Sequence, residues 1–172
     1  MVERFVKRLA AIAAALVLMA ACPVVAEEMV VMTVPSFDGS ATKTQDQLDA
    51  EAGEWYETAV LNADNSVTYT LSRTTRDAMV KDIVAGFDKT HSEMIGSEDY
   101  PNFVSIERNE NMTSFSVGMN GKELSMNDMF VSMQFMLESA LYHSMMGTED
   151  VDVVITYTDI NTGEILYQTG NK

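Results

Sequence analysis

Four methionines, Met126, Met129, Met133 and Met136, recur at spacings of three, four and three residues, which stacks their thioethers along one face of a helix. His143 and Met145 extend the series, so these six residues form the set whose types best suit a soft metal ion such as Cu(I). The competing reading is structural. Methionine is flexible and polarisable, and a stripe interleaved with Phe130, Leu137 and Leu141 is what a helix uses to fill a core. Copper-binding methionines more often lie in exposed loops than on the most apolar face of a helix. Core filling is therefore the expectation, and no metal or other cofactor is assigned.

The remaining chemistry is sparse. His91 and His143 are the only histidines, and they fall near the C-terminal ends of two different predicted helices, where an imidazolium complements the helix dipole. Neither a Gly-x-Ser-x-Gly nucleophile turn nor a His-Glu-x-x-His zinc motif occurs. The segment from Asp159 to Glu164 begins like a calcium loop, but Gly163 and Gly170 stand where the fifth and twelfth ligands belong, so it reads as a hairpin turn. Acids gather at Asp46, Asp49, Glu51, Glu54 and Glu57, and again at Glu149, Asp150 and Asp152. Paired carboxylates can hydrolyse glycosidic bonds. That leaves a carboxylate-dependent wall or peptide hydrolase as one alternative, with plain solvation of an acidic surface as the simpler reading. Trp55 and Tyr56 beside the first patch hint at a sugar- or peptide-contacting edge, although aromatics at a strand start ordinarily belong to a core.

The compartment is easier to read. Arg4, Lys7 and Arg8 precede an uncharged apolar run from Leu9 to Ala21, the pattern of an export leader covering residues 1–26. Leu18-Met19-Ala20-Ala21-Cys22 resembles a bacterial lipobox, which would attach a lipid to Cys22. Val24-Val25-Ala26 instead suits ordinary signal peptidase, and an uncleaved anchor is the third option. All three place residues 27–172, read as a single domain, outside the cytoplasm as a membrane lipoprotein or a secreted protein. Cys22 is the only cysteine, so that domain holds no disulfide. The whole chain has 26 acids against 11 bases, a net charge of −15. Removing the leader takes away three bases and one acid, leaving 25 against 8 and a net charge of −17. Such a chain repels nucleic acid and anionic lipid, so any membrane association is expected only through the leader or a lipid on Cys22.

The elements that must position these residues follow from alternation and periodicity. Strands are predicted at Met29–Val34, Trp55–Leu61, Ser66–Ser72, Phe103–Glu107, Thr113–Met119, Val151–Thr158 and Glu164–Thr169. A short helix is predicted over Gln45–Ala52. A second follows a capping-box-like Thr74 and Asp77, with Met79, Ile83 and Phe87 facing inward. The third runs from Met126 to Met146 after Ser125 and Asp128, another capping box. The predicted class is α+β: an antiparallel sheet with two long helices on one face, built on a split βαβ, ferredoxin-like core with flanking strands. Thr68, Thr70, Ser72, Ser114, Ser116, Thr156 and Thr158 would line its wet face, either as a platform for peptide or glycan or as ordinary solvated strand residues.

Several stretches carry a resemblance. Val34-Pro35-Ser36-Phe37, the run Gln45 to Ala50, Ala59-Val60-Leu61-Asn62, the run Ser66 to Thr70, the run Ile95 to Phe103, and Asp159 with Thr162-Gly163-Glu164 resemble a group of small exported bacterial proteins, many with lipoprotein leaders. That resemblance implies an exported domain and supplies no functional residues. The expected function is a non-enzymatic envelope protein that binds or scaffolds another envelope protein, a peptide or a glycan.

Overall fold

The computed structural model describes residues 27–36, 43–121, 123–148 and 151–170. Cys22, Glu149 and Asp150 lie outside the described residues. The elements run β1 (Met29–Val34), α1 (Gln45–Glu51), β2 (Thr58–Leu61), β3 (Val67–Ser72), α2 (Arg73–Met94), β4 (Phe103–Arg108), β5 (Ser114–Met119), α3 (Met126–Met146), β6 (Val154–Asp159) and β7 (Ile165–Thr169). This is an α+β chain.

The strands form two sheets rather than the one antiparallel sheet expected. The first has order β1-β3-β2 and is antiparallel throughout. The second has order β4-β5-β6-β7, with β5 and β6 parallel between two antiparallel pairs. A ferredoxin-like arrangement would set β3 between β5 and β6. Here β5 pairs β6 directly, and β3 is fully occupied by β1 and β2. Parallel neighbours require a long crossover, and α3 supplies it.

Local chemistry sets the turns. Asn65 takes a left-handed φ of 65° between β2 and β3, and Asp64 accepts hydrogen bonds from the main-chain N–H and the hydroxyl of Ser66. Between β4 and β5, Asn109 Oδ1 accepts from the N–H groups of Thr113 and Ser114. Asp159 organises the last hairpin: its carboxylate accepts from Asn161 N–H and the Thr162 hydroxyl. Those donors occupy the carboxylate that a calcium loop would need.

Each sheet has its own core. Met32, Leu48, Tyr56, Leu71 and Met145 pack on the first, and Phe103, Met112, Phe115, Phe135 and Tyr157 on the second. The long helices are shared. Val80 of α2 lies in the first core and Met94 in the second, while α3 runs the other way, from Val131 and Phe135 to Met145. The two helices therefore cross both cores in opposite directions and tie the sheets together.

The capping of α3 follows its sequence. Ser125 Oγ accepts from Asp128 N–H at 3.1 Å, and Asp128 Oδ2 accepts from Ser125 N–H at 2.7 Å. The helix stops at Gly147, whose left-handed φ of 69° is cheap only without a Cβ. For α2 the observed cap is Ser72, bonded to Thr75 N–H, two residues before the expected Thr74.

The orientation of α3 overturns an expectation. Met126 is 74% exposed, and Met129, Met133 and Met136 are 46%, 53% and 42% exposed. Phe130 and Leu137 are exposed beside them. The methionine stripe is surface, not core. What faces inward is the mixed set Asp128, Val131, Ser132, Phe135, Glu138, Ser139 and Met145. Its polar members are tolerated because most find partners: Tyr157 donates to the Asp128 main-chain oxygen and lies 3.0 Å from Ser132 Oγ, and Glu138 meets His91 at 2.7 Å.

Candidate functional site

Unbonded polar atoms locate the site. Among the described residues, three buried side-chain atoms have no hydrogen-bond partner: Ser139 Oγ, His143 Nε2 and Thr169 Oγ1. Leaving such an atom unpaired costs about 1–3 kcal/mol, so their clustering needs a reason. Ser139 and His143 both line one groove, and Thr169 adjoins Gly170, which lines it too. The groove holds about 1050 Å³ between the C-terminal half of α3, strand β1 and the start of β6.

Three elements build its walls. Thr33 and Val31 come from β1, which pairs only with β3 and so is an edge strand. The Ser144 hydroxyl donates to the Thr33 main-chain oxygen, fastening α3 to that edge. Ser139, Ala140, His143 and Met136 project from α3, and Asp152 and Val153 close the far side. Asp152 is exposed and is the one carboxylate among the described residues of the groove.

His143 is held in a defined state. Thr148 Oγ1 donates to the His143 main-chain oxygen and lies 2.7 Å from its Nδ1. The Thr148 hydroxyl has a single proton, so the ring tautomer decides whether Nδ1 donates to it or accepts from it. Burial pushes the imidazole pKa below its ordinary value, an effect that the Asn111 main chain partly offsets. The neutral ring lies at the groove wall with its Nε2 buried. Ser139 and Thr169 can each donate or accept.

The arrangement lacks a nucleophile and base in contact. Ser139 Oγ is unbonded, so no hydrogen bond joins it to His143, and the Ser144 hydroxyl is committed to Thr33. What the groove can do is hold a ligand beside the Asp152 carboxylate and the α3 side chains that line it.

The residues singled out from sequence scatter. Of the six copper candidates, Met126, Met129 and Met133 lie on the exposed ridge, Met136 reaches from that ridge to the groove, His143 lines the groove, and Met145 is core at 1% exposure. His91 lies in the last turn of α2, as expected, but its side chain is buried rather than facing solvent. It is 3% exposed, bonded through Nε2 to Glu138, whose other oxygen accepts from Gln134. The two histidines thus have separate partners. The first acidic patch is partly paired, Glu51 with Lys43 and Asp49 with Gln45. Tyr56 is 3% exposed and donates to Leu48 O, while Trp55 and Tyr69 meet its ring edge-on, so this edge is core packing.

The hydroxyl platform is also divided. Thr68, Thr70 and Ser72 lie on one sheet, and Ser114, Ser116, Thr156 and Thr158 on the other. Thr68 is bonded to Thr33 and Asn62, and Thr156 to Gln168. Sequence reasoning missed Ser139 and Thr169 altogether. The one available signal was a serine embedded in the most apolar helix, which is easily taken for packing. No protein-family model, curated protein or solved structure matches this chain.

Proposed function

We propose that this chain is an exported, non-enzymatic binding protein whose ligand sits in the groove lined by Ser139 and His143. The observation that carries the reading is that two of the three unbonded buried polar atoms of the described residues, Ser139 Oγ and His143 Nε2, belong to residues lining that groove. Each is a hydrogen bond that a ligand can complete where a small shift of the groove wall uncovers the atom. The Asp152 carboxylate favours a neutral or cationic ligand rich in donors, such as a peptide or glycan segment, and the acidity of the chain disfavours anions. The edge strand β1 suits an extended ligand laid alongside it. Support for binding rather than hydrolysis comes from the single groove carboxylate and the absence of a serine–histidine hydrogen bond, both among the described residues.

Two experiments test the reading. Nitrogen-15 spectra of residues 27–172, titrated with trialanine and with chitotriose, should show one of them shifting His143 and its neighbours, and Ser139→Ala combined with His143→Ala should remove the shift. No movement at millimolar concentrations of either ends the proposal. Export with a lipid on Cys22 predicts palmitate incorporation that Cys22→Ala abolishes. Labelling absent from the wild type, with the protein still outside the cytoplasm, would leave the secreted form.

A further inference from the structure

Apart from Met136 and Ala140 at the rim of the groove, the outer side of α3 has no assigned role in ligand binding. Met126, Met129, Phe130, Met133, Met136 and Leu137 are between 42% and 74% exposed and form one continuous apolar ridge. The only charged residues in this helix are Asp128 and Glu138, and both are buried, so its solvent face carries no formal charge. On a chain of net charge −15 that is an exceptional strip. Beside it, a hollow of about 330 Å³ opens between α2 and α3, lined mainly by Phe87, Leu137 and Leu141 over Glu138.

We propose that this ridge is the interface of a two-fold dimer of this chain, with α3 packed antiparallel against α3 of a second copy. Three observations point to a second copy. The first is spacing: positions 126, 129, 130, 133, 136, 137 and 140 are symmetric about Met133, so an antiparallel copy sets every apolar position opposite another. In that register Phe130 meets Met136 and Leu137, and Leu137 borders the hollow that can receive the ring.

The second is charge. Two copies this acidic repel across nearly any contact, and α3 offers an uncharged one. A cationic partner would find no counter-charge on this face. The third is area. The exposed parts of six such side chains amount to on the order of 600 Å² per copy, near the low end of specific interfaces. A dimer dissociating in the micromolar range is expected.

Sedimentation equilibrium of residues 27–172, which contain both cores, tests this directly. Raising salt from 0.05 to 0.5 M should tighten the dimer several-fold, because screening relieves the repulsion between copies. Phe130→Asp should weaken it at least tenfold, while Ile165→Asp, the same charge placed on exposed β7, should not. Circular dichroism of each variant checks folding. A chain that stays monomeric at several hundred micromolar, or a dimer indifferent to Phe130→Asp, overturns the proposal. Dissociation by salt would also overturn it, as would a monomer whose binding to phosphatidylethanolamine vesicles depends on Phe130.

Discussion

The two long helices, 22 and 21 residues, are built on opposite plans. α2 has eight charged residues; one, Arg76, is buried, held by Asp77. α3 has two charged residues, both buried, and turns methionine, phenylalanine and leucine outward. Both helices serve the same two cores, so packing alone does not explain the difference. α2 presents a solvated coat, whereas α3 presents a sticky ridge and, toward its C-terminal end, unbonded polar atoms. Hydrophobic content and burial have come apart on α3, which is where function is expected to reside.

The comparison is broken hardest from inside. Phe135 is fully buried, stacked on Phe115 with ring centroids 4.7 Å apart, and edge-on to His91. Phe135→Ala should cost about 3–5 kcal/mol in chemical denaturation. Next comes the buried pair joining the helices: His91→Ala or Glu138→Ala alone should each cost about 2–3 kcal/mol, because the other member is left unpaired. Replacing both with leucine should recover much of that loss. Outward changes should behave otherwise. Met129→Gln and Met133→Gln should move stability by no more than about 0.5 kcal/mol in either direction, since neither side chain is core.

Two smaller effects are electrostatic. His143 has a lowered pKa in the folded chain, so its neutral form is what folding selects. Its contribution is present above pH 6.5, the ordinary value, and is lost as pH falls toward the lower folded value. Urea midpoints followed from pH 7.5 to 4.5 should show that slope, and His143→Asn should flatten it. Arg108 fastens β4 to α2 through two 2.7 Å hydrogen bonds to Asp88, which hold the Asp88 carboxyl below its usual range. That support is present above the ordinary aspartate pKa and disappears as pH falls through the lowered one. Half-exposed Asp88 limits its worth, and Arg108→Gln should cost about 0.5 kcal/mol.

Much of the fold was legible, and the failures share a cause. The limits of α3 and its Ser125–Asp128 cap follow from sequence because capping and periodicity are local. Strand alternation likewise located all seven strands of the described chain to within a few residues. Pairing is not local: that β3 is consumed by β1 and β2 depends on contacts some 40 residues apart. The face of α3 failed for a sharper reason. Apolar spacing selects the stripe of Met126, Met129, Met133 and Met136, while the inward stripe contains Asp128, Ser132, Glu138 and Ser139. Only partners elsewhere in the chain, His91 and Tyr157 among them, make that stripe fit to bury. The groove was hidden for the same reason, since an unbonded hydroxyl is visible only once its neighbours are placed.

The inversion of α3 is the central claim, and methionine oxidation measures it directly. In dilute peroxide, with the chain folded and below micromolar concentration, peptide mapping should show Met126, Met129, Met133 and Met136 oxidising quickly. Met32, Met112, Met119 and Met145, all at 1% exposure or less, should resist. Equal resistance of both groups would return the stripe to the core and contradict this account.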